Sequence, residues 1–137
     1  MRIIIIETAE EFKMVLDEEM GSPYFPRVEV EDEQIWLDVI EKYPDLEYIV
    51  VQYLVSPAVL AKLAYSKDSD VRCMVAEKRR ILLETFELLS NDKDYTVRMR
   101  VAINAKCPKH ILEKLANDKH EEVVDSAMRS LKKRFGG

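Results

Sequence analysis

Apolar positions recur every 26 residues along most of this chain. Leu60, Phe86 and Leu112 form one column, Leu63, Leu89 and Leu115 a second, and Val71, Val97 and Val123 a third. Val75, Val101 and Ala127 form a fourth, and Ala76, Ala102 and Met128 a fifth. A constant period in this range marks stacked supersecondary units, each too small to bury its apolar face alone.

The pattern inside one copy predicts a helical hairpin. Ser56 followed by Pro57 places a hydroxyl N-cap before a proline at the first helical position, where the missing N–H costs nothing. Leu60, Leu63 and Ala64 then share a face. Ser66 to Asp70 is a polar turn, with Asp68 able to cap a second helix that carries Val71, Met74, Val75 and Lys78 on one side. In the next copy Asp92 and Asp94 stand where Ser66 and Asp68 stood, so second helices are expected near Asp70, Tyr95 and Glu121. Asn104 reads as a left-handed C-cap, with Pro108 reopening the cycle. Glu77-Lys78-Arg79-Arg80 contains no Gly, Asn or Pro, which predicts that the helix before it runs almost directly into the next copy. Upstream, Leu46, Val50 and Val51 align with Val97, Val101 and Ala102. Trp36, Val39 and Ile40 then supply the preceding helix, across a shortened turn at Tyr43-Pro44-Asp45. The count is about four units, the first degenerate.

The N-terminal stretch reads differently. Ile3 to Ile6 is a β-branched run, Thr8-x-x-Glu11 is a capping-box signature, and Val28-Glu29-Val30 alternates. A helix through Phe12, Val15 and Leu16 is expected, stopped by Gly21. Two short strands flanking it are one reading. An extended arm and helix capping the repeats is the reading favoured here, because a two-stranded ribbon is marginal alone.

The residues Leu60-x-x-Leu63-Ala64-x-x-x-Asp68-x-x-Val71-Arg72-x-x-Val75-Ala76, echoed from Phe86 to Asn104, resemble the HEAT-like and leucine-rich-repeat-variant families of helical repeats. The resemblance covers about residues 36 to 131. It implies a mostly all-α fold, a short right-handed α-solenoid of helical hairpins; a minor N-terminal β-strand pair, outside the resemblance, stays the alternative reading of the first residues. Residues 1–31 would be a capping segment and residues 32–137 the repeats. In the last copy Val124 replaces the arginine and Met128 the alanine, which marks a capping unit. The resemblance implies interaction scaffolds, some members being enzymes or nucleic-acid binders. The N-terminal cysteine cluster of some relatives does not carry over, since residues 1–72 hold no cysteine.

Charge changes the picture along the chain. Residues 1–56 hold 4 Lys/Arg against 14 Asp/Glu, and residues 57–137 hold 17 against 12, within an overall net charge of −5. Glu29, Glu31, Asp32 and Glu33 form the densest acidic patch. Arg72, Arg79, Arg80, Arg98 and Arg100 cluster around the second helices and are the candidate partner-binding residues. For Arg72 and Arg98 a competing role is favoured: a ladder to acids of the neighbouring copy. Two cysteines among 137 residues suggest a reducing compartment, and Ile3–Ile6 is too short for a signal-peptide core, so the expected location is cytoplasmic.

Specific chemistry is thin. Cys107-x-x-His110 has metal-ligand types, but a structural zinc needs four ligands, and only Cys73 and His120 remain. No catalytic residue, cofactor or metal is expected. The expected function is a non-enzymatic protein–protein interaction module, whether adaptor, regulator or immunity-type inhibitor, holding an acidic protein surface, with self-association left open. Nucleic-acid binding through the basic half, or an enzyme built on helical repeats, are the alternatives.

Overall fold

A computed structural model of the chain describes residues 2–136; the terminal Gly137 lies outside them. The described residues are mostly helical and divide into two compact units, Met1–Val59 and Leu60–Gly137. No helix among them is long and apolar enough to cross a membrane.

The first unit opens strand–helix–strand. β1 (Ile3–Ile6) and β2 (Arg27–Val30) pair in parallel, Ile3 opposite Arg27 and Ile6 opposite Val30, with α1 (Ala9–Glu19) as the crossover. This corrects the expectation of an extended arm. Parallel strands need a long crossover connection, and α1 provides it. Ile6, Val28, Ala9, Phe12 and Leu16 are all buried, so the small sheet and its crossover helix share one apolar core. The capping box forms with a shift: Thr8 Oγ1 accepts from the Glu11 N–H at 3.1 Å, while the Glu11 carboxylate accepts from the Glu7 N–H at 3.0 Å, one residue before the cap. Gly21 follows the helix at φ +89°, which an L side chain rarely adopts.

α2 (Gln34–Lys42), a 3₁₀ turn (Pro44–Leu46) and α3 (Glu47–Val50) form the short hairpin read from the sequence. Asp32 Oδ1, one residue before the N-cap Glu33, accepts from the Gln34 N–H at 2.8 Å at the start of α2. Trp36 meets Phe12 edge to face, 5.1 Å between ring centroids, and lies tilted against Tyr53 at 4.9 Å, tying α1 to this hairpin.

Beyond it lie α4 (Pro57–Leu63), α5 (Ser69–Ala76), α6 (Leu83–Ser90), α7 (Tyr95–Ile103), α8 (Lys109–Leu115) and α9 (Glu121–Phe135). The second helices begin at Ser69, Tyr95 and Glu121, within one residue of expectation. In the second unit α5, α7 and α9 pack in succession, and α6 packs on α8. All twelve residues of the first four columns are buried. The fifth column is buried at Ala76 and Ala102 and opens at Met128, 56% exposed.

The second helices share a cap. Asp68 Oδ1 accepts from the Asp70 N–H at 2.9 Å, Asp94 Oδ1 from Thr96 at 2.8 Å, and in the last copy His120 Nδ1 from Glu122 at 3.2 Å. Two sequence expectations fail at the other ends. α5 stops at Ala76, and residues 77–82 are not helical. Asn104 is not left-handed: its φ is −61°. The two ends meet in one contact. The Asn104 amide donates to Ala76 O and Lys78 O, each at 2.7 Å, and so satisfies carbonyls that the end of α5 leaves open. Ser130 Oγ does the same for Ala102 O at 2.6 Å, one copy later.

Candidate functional site

The five candidate arginines separate by environment. Arg72 and Arg98 are buried, each with 6% exposure. Arg72 donates through Nε and Nη2 to the two carboxylate oxygens of Asp92, at 2.8 and 3.2 Å, and through Nη1 to Ser66 O at 2.9 Å. Arg98 repeats this with Asp118 at 2.8 and 3.1 Å, and with Asp92 O at 2.7 Å. Each rung therefore joins a second helix to the turn of the following copy. The same carboxylates brace their own turns, Asp92 accepting from the Asp94 N–H at 2.9 Å and Asp118 from His120 at 2.8 Å.

The fork geometry of a guanidinium matches a carboxylate bidentately, and such pairs are among the stronger hydrogen bonds. The Asp92 hydrogen bond, outweighing burial, raises the Arg72 pKa above its ordinary value. Burial pushes Asp118 up. The Arg98 hydrogen bond, the His120 N–H and the charge of Arg98 together outweigh it, and its carboxyl titrates below the usual range. With both guanidiniums buried and engaged on carboxylates, neither presents its charge at the surface.

Arg79, Arg80 and Arg100 are placed otherwise. Arg79 and Arg80 are exposed on the loop after α5. Arg100 is half-buried on α7 and pairs with Glu77. Arg79, Arg100 and Glu77 border a cleft of about 470 Å³ whose remaining lining is Met99, Ile103, Asn104 and Ala105. Ile103 is 55% exposed there. The apolar floor was not read from the sequence, although a signal existed. Ile103 occupies the column of Glu77 and Arg129, which are charged and exposed, so an isoleucine there is out of pattern.

The cysteine and histidine candidates do not converge. Cys107 is fully buried, and desolvation, against a smaller opposing pull from Arg134, pushes its thiol up to about 12. His110 is exposed with Glu87 3.8 Å away. Cys73 is half-buried with a thiol raised first by burial. His120 stacks on Tyr95, 3.7 Å between ring centroids, and spends Nδ1 on its cap. Among the described residues no three His, Cys, Asp or Glu side chains are grouped to hold a metal ion.

Comparison of the chain with known protein families, with curated proteins and with solved structures gives no match.

Proposed function

We propose that this chain is a protein–protein interaction module of the HEAT-like, leucine-rich-repeat-variant kind, a short right-handed α-solenoid without enzymatic activity. Support for the repeat reading comes from the buried 26-residue columns and the two arginine rungs between successive copies. The partner is an acidic protein surface carrying an apolar side chain. It docks at the cleft bordered by Arg79 and Arg100, with Arg80 on the rim.

The observation that carries this reading is the combination in one cleft of exposed Ile103 and half-buried Met99 with two arginines that the ladder does not use. An apolar centre with a charged rim is the ordinary anatomy of a protein interface. A rim of this kind steers encounter more than it adds affinity.

The test is affinity purification from the native host with the parent chain and an Arg79→Glu/Arg80→Glu variant as parallel baits. The expected result is a protein with an acidic surface, captured by the parent and lost by the variant. Its association rate should fall steeply as ionic strength rises to physiological, where the screening length is about 8 Å. Equal capture by both baits, or capture that nuclease treatment abolishes, would overturn the reading, the latter in favour of nucleic acid.

A further inference from the structure

α9 carries two apolar stripes, and the core uses only one. Val123, Ser126 and Ala127 are buried, while Ser130 and Arg134 on the same side bond back to Ala102 O and Cys107 O, each at 2.6 Å. The second stripe is Val124, Met128, Leu131 and Phe135, spaced 4, 3 and 4 residues apart, the a/d spacing of a helix-pairing seam. Val124 and Leu131 are half-buried, Met128 is 56% exposed and Phe135 45%.

The column register explains why this stripe is left partly uncovered. Ala76 and Ala102 stand in the column of Met128, and Arg72 and Arg98 in that of Val124; all four are buried. α9 leaves the corresponding face partly open to solvent, at Met128 above all, and makes it apolar. It is also longer, 15 residues against 8 in α5 and 9 in α7, and the added turns supply Leu131 and Phe135.

We infer that this stripe is a homodimer interface, in which α9 of one copy packs antiparallel on α9 of a second copy about a two-fold axis near Met128. The charges flanking the seam select this occupant. Met128 is the middle residue of α9, and Asp125 and Lys132 lie at near-equal distances on either side of it, at the positions that flank the seam. Antiparallel pairing sets Asp125 of each copy beside Lys132 of the other, twice. Parallel pairing would set like residues level. Both side chains are exposed, and among the described residues neither has an ion-pair partner within the chain. Antiparallel packing also opposes the helix dipoles, whose ends carry Glu121 and Glu122 at the start and Lys132, Lys133 and Arg134 at the finish. An isologous contact of this kind closes on itself and makes a dimer rather than a filament.

A four-turn helix of roughly 22 Å gives an interface at the low end of the specific range, so the dimer is expected to be concentration-dependent. Sedimentation equilibrium of the full chain tests it, from about 1 to about 500 µM. The weight-average mass should climb from 16.0 kDa towards twice that value. Met128→Asp should hold it at the monomer mass. Asp125→Lys and Lys132→Asp should each weaken association at least about tenfold through like-charge contact, and the two together should restore it to within about threefold. All three positions are exposed, so far-UV circular dichroism should be unchanged. A parent chain that stays at monomer mass throughout, or a charge swap that fails to restore association, overturns the proposal.

Discussion

Asp118→Ala removes one end of a buried rung and leaves the other in place. Its carboxylate accepts from Arg98 Nε at 2.8 Å, Arg98 Nη2 at 3.1 Å and the His120 N–H at 2.8 Å. The two side chains are 7% and 9% exposed. After the substitution the Arg98 guanidinium keeps only the Asp92 carbonyl at 2.7 Å. Removing one partner of a buried pair costs about 3–5 kcal/mol, because an uncompensated charge remains. The expected loss is about 4 kcal/mol, a large part of the roughly 5–15 kcal/mol that holds a domain together. Urea unfolding at neutral pH, followed by far-UV circular dichroism, measures it. Trp36, the single tryptophan, lies in the first unit, so its fluorescence reports that unit separately. Arg98→Met combined with Asp118→Leu should lose less than Asp118→Ala alone, since no buried charge is left unpaired. The pH dependence has a definite sign. The folded pKa of Asp118 is depressed, so the unfolded state binds more protons in acid. The rung's contribution is present above the usual carboxylate range and is lost as pH falls through the lowered value. Asp118→Asn should remove that part of the acid slope. A loss below about 1 kcal/mol for Asp118→Ala, or a double variant that loses the sum of its single losses, would refute a desolvated, coupled pair.

Leu89→Ala, at a position with no exposure, should cost about 2–5 kcal/mol in the same titration, and a loss under about 1 kcal/mol would mean the column does not face the core. Asn104→Ala should cost about 1–3 kcal/mol through two carbonyls losing their donor. Asn104→Gly should fare no better, whereas a left-handed cap would tolerate glycine without loss. Ellman's reagent should label Cys73 well before Cys107 in the native protein, and equal rates would contradict the buried thiol. With the Cys107 thiol raised from 9.0 to about 12, folding stability should also decline as pH climbs between those values, a trend that Cys107→Ala should flatten.

Much of this could be read from the chain because it is written in repeating side chains. The four buried columns and the Asp68 and Asp94 caps are local or periodic signals. The rungs could be anticipated because arginine and aspartate recur in register. What escaped depends on backbone acceptors or on non-local pairing. Asn104 recognises Ala76 O and Lys78 O, and a carbonyl leaves no mark in sequence. Its own spacing from Pro108 suggested a C-cap instead. Ile3–Ile6 and Arg27–Val30 are four residues each, too short for periodicity to decide, and each becomes a strand only through the other. The cleft floor was hidden for another reason: Ile103 is one apolar residue in a charged column, legible only once that column was known to face solvent.

The cross-copy bonds keep constant separations: 20 residues for both arginine rungs, 28 for the Asn104 and Ser130 bonds to Ala76 O and Ala102 O. Excising residues 80–105 would bring Arg72 to a separation of 20 from Asp118, and Ser130 to 28 from Ala76, so both geometries would find partners again. Inserting one residue into a turn would displace every bond that spans it. The chain thus has a grammar of length change. Whole blocks of 26 can be gained or lost with the splice already compatible, while single-residue edits between rungs are penalised. Lineages carrying this architecture should differ in how many blocks they hold rather than in how long each block is.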